Sequence, residues 1–189
     1  TELVNQILYT RAVKTTYELS LLRKASVIGA RGHLAAKEGF EQNLSEFEIH
    51  LRFLEATGLN EHALPYGNIV AQNDHASLLH YQHQERRVPE PILSLLIDAG
   101  GSYKGYASDI TRTYCTRTEH EVLETEVFKS LISAITKLKD MLIAEACDGT
   151  SFVDLQKLMH QTLAKILTEH HLVNISPDEA FESGLTELF

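Results

Sequence analysis

Apolar residues recur at helical spacing in two stretches near the start of the chain. Behind a capping-box pair, Thr15 and Glu18, small and apolar residues three or four positions apart predict a helix that Gly39 ends. Ser45 and Glu48 form a second such pair and predict a second helix, which stops near a following glycine. The positions that carry these helices are Leu21, Leu22, Ala25, Ile28, Gly29 and Gly32 in the first, and Phe47, Leu51 and Leu54 in the second, with Gly58 at its end.

Three short apolar runs in the middle of the chain predict a small antiparallel sheet. Residues 69–71 form the first strand, and residues 93–97 and 110–114 form two more. Glycines at positions 100, 101 and 105 separate the last two runs, so residues 95–115 are predicted to form a β-hairpin. A polar loop, residues 82–91, leads into it.

The last third of the chain is predicted to be helical. An apolar face carries a helix over residues 122–146, and Thr150 and Ser151 start another after Gly149. Ser176, with proline next and glutamate three positions on, starts a short helix that Gly184 ends. Residues 1–13 are expected to lead into the domain without adding to its core. Two helices, a small antiparallel sheet and further helices together indicate an α+β fold.

Two carboxylates lie at the open end of the predicted hairpin turn. If the turn centres on Tyr103 and Lys104, Asp98 and Asp109 lie opposite each other on one face, and a bulge at Gly105 shifts that pairing by one residue. Carboxylates held that close repel each other unless a cation lies between them, so a divalent metal is a natural partner. The alternative is structural, because aspartate beside glycine is a common turn signature.

Composition narrows the range of functions. The chain has 189 residues, enough for one domain with a substantial core, and its net charge of −9 argues against binding to nucleic acid or an anionic membrane. No run of about 18 apolar residues predicts a membrane span. The first residues lack the pattern of a signal peptide and the two cysteines show no paired spacing, which favours a reduced, cytoplasmic protein. The motifs HExxH, GxSxG and GxGxxG and the P-loop are absent.

The hairpin resembles a known metal site in its details. Asp98-Ala99-Gly100, followed by GYASDITRT over residues 105–113, is similar to the metal-binding hairpin of the pita-bread metallopeptidases. Residues 11–19, 45–49, 65–71, 78–81 and 172–189 also resemble successive parts of that catalytic domain, in its Xaa-Pro dipeptidase (prolidase) branch. The Leu-His-Tyr segment around His80 and the spacing from Tyr66 to Asp98 favour this branch over methionine aminopeptidase.

The resemblance implies an incomplete pita-bread fold, with a small antiparallel sheet and a metal-site hairpin packed by helices. Residues 1–13 correspond to a linker from an absent N-terminal domain, and residues 14–189 to the first half of the catalytic domain. The family's two metals take two aspartates, a histidine and two glutamates, of which only Asp98 and Asp109 have counterparts here. The expectation is therefore a fragment that binds Mn²⁺ weakly or not at all and is inactive alone.

For the intact protein, the resemblance implies a dipeptidase that cleaves Xaa-Pro dipeptides with a water activated by two divalent ions. Mn²⁺ suits such a site best, with Co²⁺ or Zn²⁺ as alternatives. His80 is expected to contact the substrate or its scissile carbonyl, and Tyr66 to line the pocket for the amino-terminal residue. The structural alternatives are a hydrogen-bonding histidine at a sheet edge and a tyrosine packed on the sheet. A cytoplasmic homodimer is expected.

Two neighbours of Asp109 have weaker predictions. Thr111 shares its face by strand alternation and is placed to support the metal site, whereas Arg112 is expected to face away and form a structural ion pair. Two other functions stay open at this point. The domain could be a metal-free scaffold that binds peptides or proteins, or it could hydrolyse its substrate without metal, as creatinase does. Retention of both aspartates disfavours both alternatives.

Overall fold

The structure, a computed structural model, describes residues 2–116 and 123–188. It forms two compact units that divide after residue 116, and each is described here by itself. The first unit holds three helices and all the strands; the second is helical. No described helix is long and apolar enough to cross a bilayer.

The first unit begins with two helices of different character. Helix α1 (Glu2–Ala12) buries no residue, and the sequence analysis does not predict it. Helix α2 (Thr16–Glu41) starts at the predicted capping box, with Thr15 as its cap. It does not end at Gly39, so that prediction is wrong. Gly39 is instead a buried residue inside the helix. It packs closely on α3, since a Cβ at this position would lie 3.3 Å from Ile49 Cγ1.

Helix α3 (Glu46–Thr57) has the predicted capping box and ends at Gly58, but it buries a different face from the one expected. Leu51 is 46% exposed, while Ile49 and Phe53 are fully buried. The reason is the contact with α2, where the absence of a side chain at Gly32 leaves room for the Phe53 ring. The buried face of α3 is therefore displaced around the helix from the predicted one.

A three-stranded antiparallel sheet packs against these helices, in the order β1 (Ile69–Gln72), β2 (Ser94–Ala99) and β5 (Ile110–Cys115). The connection from β2 to β5 is the predicted hairpin, hereafter residues 94–115. Its tip carries two short strands, β3 (Ser102–Tyr103) and β4 (Tyr106–Ala107). The buried core of the unit joins helices and sheet and consists of Ala36, Phe40, Ile49, Phe53, Val70, Leu95, Ile97 and Ala99.

The register of the hairpin differs from both predicted alternatives. The turn centres on Lys104 and Gly105, and Asp98 pairs with Thr111 instead of Asp109. Lys104 and Gly105 have φ of 50° and 82°, and positive φ at both central positions is what a two-residue type I′ hairpin turn requires. Because the shift is two residues and side chains alternate with period two, Asp109 stays on the same face as Asp98, at a diagonal position.

The second unit follows its predicted helices closely. Helices α4 (Leu123–Glu145) and α5 (Phe152–Glu169) pack through an apolar core, and α6 (Pro177–Glu182) starts at the predicted capping box of Ser176. Gly184 follows α6 with a φ of 72°, as expected for a residue that ends a helix. The core consists of Leu138, Leu163, Ile166 and Leu167.

Candidate metal centre

The two hairpin aspartates face a common hydroxyl group. Asp98 lies near the end of β2, and Asp109 lies just before β5. The Tyr66 hydroxyl oxygen lies 2.7 Å from Asp98 Oδ1 and 2.8 Å from Asp109 Oδ1. Three of the four residues that the sequence marked as a site, Tyr66, Asp98 and Asp109, are therefore brought together.

The Tyr66 hydroxyl is a hydrogen-bond donor to these carboxylates. Burial, and then the hydrogen bonds to Asp98 and Asp109, raise the pKa of the phenol above its ordinary value, so it keeps its proton at neutral pH. A phenol has one proton and donates it to one carboxylate at a time. At any moment one of the two carboxylates therefore lacks this hydrogen bond. A cation at the site would stabilise both carboxylates at once.

Gly100 allows Tyr66 to approach the hairpin. A Cβ at this position would collide with the Ser108 carbonyl oxygen, and it would lie 2.7 Å from Pro65 Cγ and 3.1 Å from Tyr66 Cε1. The glycine thus leaves the space that the 65–66 segment occupies. Its place directly after the Asp98-Ala99 pair explains why the hydroxyl reaches both carboxylates.

The hairpin also packs backbone to backbone on α2. A Cβ on Gly101 would lie 2.6 Å from the Gly29 nitrogen and 2.7 Å from the Ala25 carbonyl oxygen. The Ser108 hydroxyl donates to that Ala25 oxygen at 3.2 Å and accepts from the Gly101 N–H at 2.9 Å. This clamp fixes the residue that precedes Asp109 and so fixes the position of the carboxylate.

The donors at this point fit part of a divalent metal site. Carboxylate oxygens are ligands that Mn²⁺ and similar ions accept, and two of them face one point. Their number is too small for a complete site, because such ions take about four to six ligands. Within residues 2–116 and 123–188, no group of three or more His, Cys, Asp or Glu side chains is placed to hold a metal ion.

Comparison with known proteins identifies the family of this chain. The sequence pattern of metallopeptidase family M24 matches residues 20–185. The chain belongs to metallopeptidase family M24. It is 47% identical over 181 residues to the Xaa-Pro dipeptidase of Shewanella loihica, covering 96% of this chain and 40% of that protein. It is 42% identical over 188 residues to the Xaa-Pro dipeptidase of Proteus mirabilis, covering 99% and 41%. The chain thus spans about two fifths of the length of the curated relatives it matches.

Solved structures show the same fold. The structure of aminopeptidase P from Escherichia coli with the inhibitor Pro-Leu matches with a TM-score of 0.80 and 22% identity, over 91% of this chain and 38% of that one. The zinc-substituted form of that enzyme in complex with product gives a TM-score of 0.78 and 23% identity over the same shares. The predicted family and the predicted α+β, pita-bread fold are therefore confirmed, and the M24 family is one of metal-dependent peptidases.

His80, the fourth predicted site residue, has no hydrogen bond or ion pair with Tyr66, Asp98 or Asp109. It belongs to the connecting segment between β1 and β2, residues 73–93, and has a φ of 57°. Its side chain is exposed and makes no hydrogen bond or ion pair with any described residue. The structure thus leaves it available to a ligand without joining it to the aspartates, and its role stays a prediction.

The predictions for the two neighbours of Asp109 have different outcomes. Thr111 lies directly opposite Asp98 in the strand ladder, so it shares the face of the site. Arg112 is exposed as expected, but it forms no ion pair with a described residue. Its guanidinium instead donates to the Thr111 carbonyl oxygen at 2.7 Å.

The sequence reasoning missed two kinds of residue. It did not find the glycine clamp between α2 and the hairpin, since glycines read as turn signals do not reveal which helix they contact. It also missed Glu46, which is 1% exposed and accepts four hydrogen bonds. A signal was present, because Glu48 already completes the capping box and leaves Glu46 without a local role.

Proposed function

We propose that the protein to which this chain belongs hydrolyses Xaa-Pro dipeptides, with Asp98 and Asp109 as ligands of a pair of divalent metal ions. The observation that carries the proposal is the convergence of these two carboxylates on one hydroxyl within an M24 domain. The named relatives, at 42% and 47% identity, support the substrate class. The chain's own two carboxylates require further ligands to complete the site.

Each residue has a distinct task in this proposal. Asp98 and Asp109 supply fixed negative charge on one face of a rigid hairpin, which lowers the cost of bringing cations close together. When bound, the metal ions make a water molecule acidic enough to attack a peptide carbonyl near neutral pH. Mn²⁺ suits an oxygen-rich site, and Co²⁺ and Zn²⁺ are the alternatives.

Tyr66 and His80 act beside these ligands. The Tyr66 hydroxyl donates to a carboxylate oxygen and so orients it, which favours one ligand geometry over others. His80 carries an uncommitted imidazole on an exposed segment and contacts the dipeptide or its scissile carbonyl. We expect the complete protein to be a cytoplasmic homodimer, as the sequence analysis predicted.

Release of proline from an Xaa-Pro dipeptide by the complete gene product tests the proposal. We expect turnover with added Mn²⁺, and a loss on the order of a hundredfold or more in kcat/KM for Asp98→Asn and Asp109→Asn. Asp140→Asn is the matched control, because this aspartate is 64% exposed and lies in the other unit. Full activity in either hairpin variant, or no turnover with Mn²⁺, Co²⁺ or Zn²⁺, would contradict the proposal.

A further inference from the structure

Glu46 is a buried carboxylate at the first position of α3. Its side chain is 1% exposed, and no lysine or arginine pairs with it among the described residues. The start of a helix favours negative charge, since the free N–H groups there carry partial positive charge. That location does not account for its burial, and its hydrogen-bond partners all lie outside α3.

Four donors converge on the two Glu46 oxygens. Oε1 accepts from the Gln72 N–H and from His75 Nδ1, both at 2.7 Å. Oε2 accepts from the Tyr81 hydroxyl and from the Glu85 N–H, also at 2.7 Å. One carboxylate thus ties the end of β1 to three positions along the connecting segment, spread over 39 residues from its own position in the chain to Glu85.

The connecting segment has few other contacts close to His80: Gln82 Nε2 donates to the Gly67 carbonyl oxygen at 3.1 Å, and Gln84 Nε2 donates to the Asn68 carbonyl oxygen at 3.3 Å. Leu78 and Leu79 are 55% and 87% exposed, so the two residues before His80 contribute little by burial. Its only regular element is the short 3₁₀ helix at Asn73–Ser77. His80 and Gln84 have φ of 57° and 54°, a conformation that is uncommon for residues other than glycine, asparagine and aspartate.

The anchors bracket His80 closely. Tyr81 follows it in the chain, is buried, and stacks on His75 with ring centroids 4.7 Å apart. Both rings donate to the same carboxylate, so the backbone between them is closed into a loop whose two ends meet at Glu46. The turn inside that loop, from the Tyr81 N–H to the Leu78 carbonyl, contains His80.

We infer that Glu46 is a positioning residue that fixes the loop carrying His80 through hydrogen bonds to His75, Tyr81 and Glu85. That the loop's orientation serves substrate binding rests on the proposed function; that Glu46 holds the loop does not. A carboxylate is required here because each of its oxygens accepts from a backbone N–H, that of Gln72 on Oε1 and that of Glu85 on Oε2, and a backbone N–H can only donate. In either orientation, the isosteric Glu46→Gln change places its amide N–H₂ against one of these N–H groups and leaves that group unsatisfied in a buried site.

Hydrogen exchange of the 189-residue chain tests the inference without any need for catalysis. In Glu46→Gln we expect the amides of Leu78, Tyr81 and Glu85 to exchange roughly tenfold faster or more, with the amides of β2 unchanged. Glu48→Gln is the matched control: it lies on the same helical turn, and glutamine still completes a capping box. Tyr81→Phe removes a single donor and keeps the ring, so it gives a smaller increase and remains informative if Glu46→Gln fails to fold.

A double-mutant cycle in the complete gene product tests whether Glu46 acts through His80. Glu46→Gln should change KM for an Xaa-Pro dipeptide in wild-type background and have no further effect when His80 is already alanine. Fully additive effects, or loop amides that exchange at the wild-type rate in both Glu46→Gln and Tyr81→Phe, would overturn the inference. If the complete protein has no dipeptidase activity, the proposed function fails, and faster exchange still establishes Glu46 as the loop's anchor.

Discussion

The hairpin and the connecting segment lie side by side in the first unit, and different physical means hold them. The hairpin is held by the hydrogen-bond ladder between β2 and β5 and by direct backbone contact between Gly101 and α2. The connecting segment has no ladder across residues 78–93, and one buried carboxylate, Glu46, accepts three of its hydrogen bonds. Both carry residues of the candidate site.

This difference determines what each region tolerates. A ladder spreads its hydrogen bonds over many residues, so the hairpin is insensitive to most single side chains but sensitive to any atom added where backbones touch. A segment whose hydrogen bonds share one acceptor is most sensitive to the loss of that acceptor and less sensitive to the loss of any single donor. A rigid hairpin suits metal ligands, whose separation must be kept, while a loop with one anchor suits a residue that meets a substrate.

The largest effect is expected where the hairpin touches α2. In Gly101→Ala the new methyl would lie 2.6 Å from the Gly29 nitrogen, so backbone must move, and we expect a loss of about 3 kcal/mol in the free energy of unfolding. Urea unfolding measures it. Gly105→Ala is the control, because nothing lies within 4 Å of its Cβ and only its φ of 82° opposes alanine, at a cost of about 1 kcal/mol. Equal losses in the two variants would remove the distinction drawn for the hairpin.

The second effect concerns the anchor of the connecting segment. Glu46→Gln leaves one buried backbone donor unsatisfied, and we expect it to lower the free energy of unfolding by about 2 kcal/mol. Glu48→Gln should change it by less than about 0.5 kcal/mol. Denaturant unfolding of both variants gives the comparison. A Glu46→Gln chain as stable as Glu48→Gln would show that the hydrogen bonds of the segment are shared among other groups.

A third prediction uses pH to probe the packing behind the hairpin. Burial lowers the pKa of His33, whose Nε2–H donates to the Ala99 carbonyl at 3.0 Å and whose Nδ1 has no partner among the described residues. In the unfolded chain this histidine binds a proton near pH 6.5, whereas in the folded chain it stays neutral to lower pH. The free energy of unfolding therefore decreases as the pH falls below about 6.5. The slope is at most about 1.4 kcal/mol per pH unit for one proton.

Replacement of this histidine isolates its contribution. His33→Gln keeps a donor for Ala99 and removes the titration, so stability measured at pH 7, 6 and 5 should fall less steeply than in the wild type. The exposed His62→Gln serves as control and should follow the wild-type slope. A His33→Gln slope indistinguishable from that of His62→Gln would mean that His33 accepts a proton in the folded state.

The smallest effect is expected at the hydroxyl between the two aspartates. Tyr66→Phe removes the donor they share, and at low salt we expect a loss of about 1 kcal/mol in the free energy of unfolding, since both carboxylates keep access to water. Tyr17→Phe, at a tyrosine 65% exposed, should have no measurable effect. Calorimetric unfolding of the two variants decides the point. A Tyr66→Phe chain more stable than the wild type would contradict the assignment of the hydroxyl as a donor.

The contrast between the regions also explains what could be predicted from the sequence. Capping boxes, helix periods and strand runs are local signals, and they predict helices α2 to α6 and the hairpin, although the predicted turn centre at Tyr103 and Lys104 shifts the register by two. The period of two kept Asp98 and Asp109 on one face despite that error. The convergence of Tyr66 on both carboxylates depends on the space at Gly100, which no local pattern encodes.

The role of Glu46 lay further beyond local reasoning. Its partners are 26 to 39 residues away, at the end of β1 and along the connecting segment. The burial of Glu46 on α3, where the sequence favoured Leu51, has the same origin. Tertiary contact with β1 and the connecting segment overrides the apolar pattern of the helix.

Metal content measures the central claim most directly. We expect the complete gene product, purified with Mn²⁺, to hold about two ions per chain, and Asp98→Asn or Asp109→Asn to hold about one or fewer, by elemental analysis. The 189-residue chain alone should hold far less than one ion, because its two carboxylates form only part of a site. Asp140→Asn should match the wild type. Metal content that is unchanged in both hairpin variants would contradict the account.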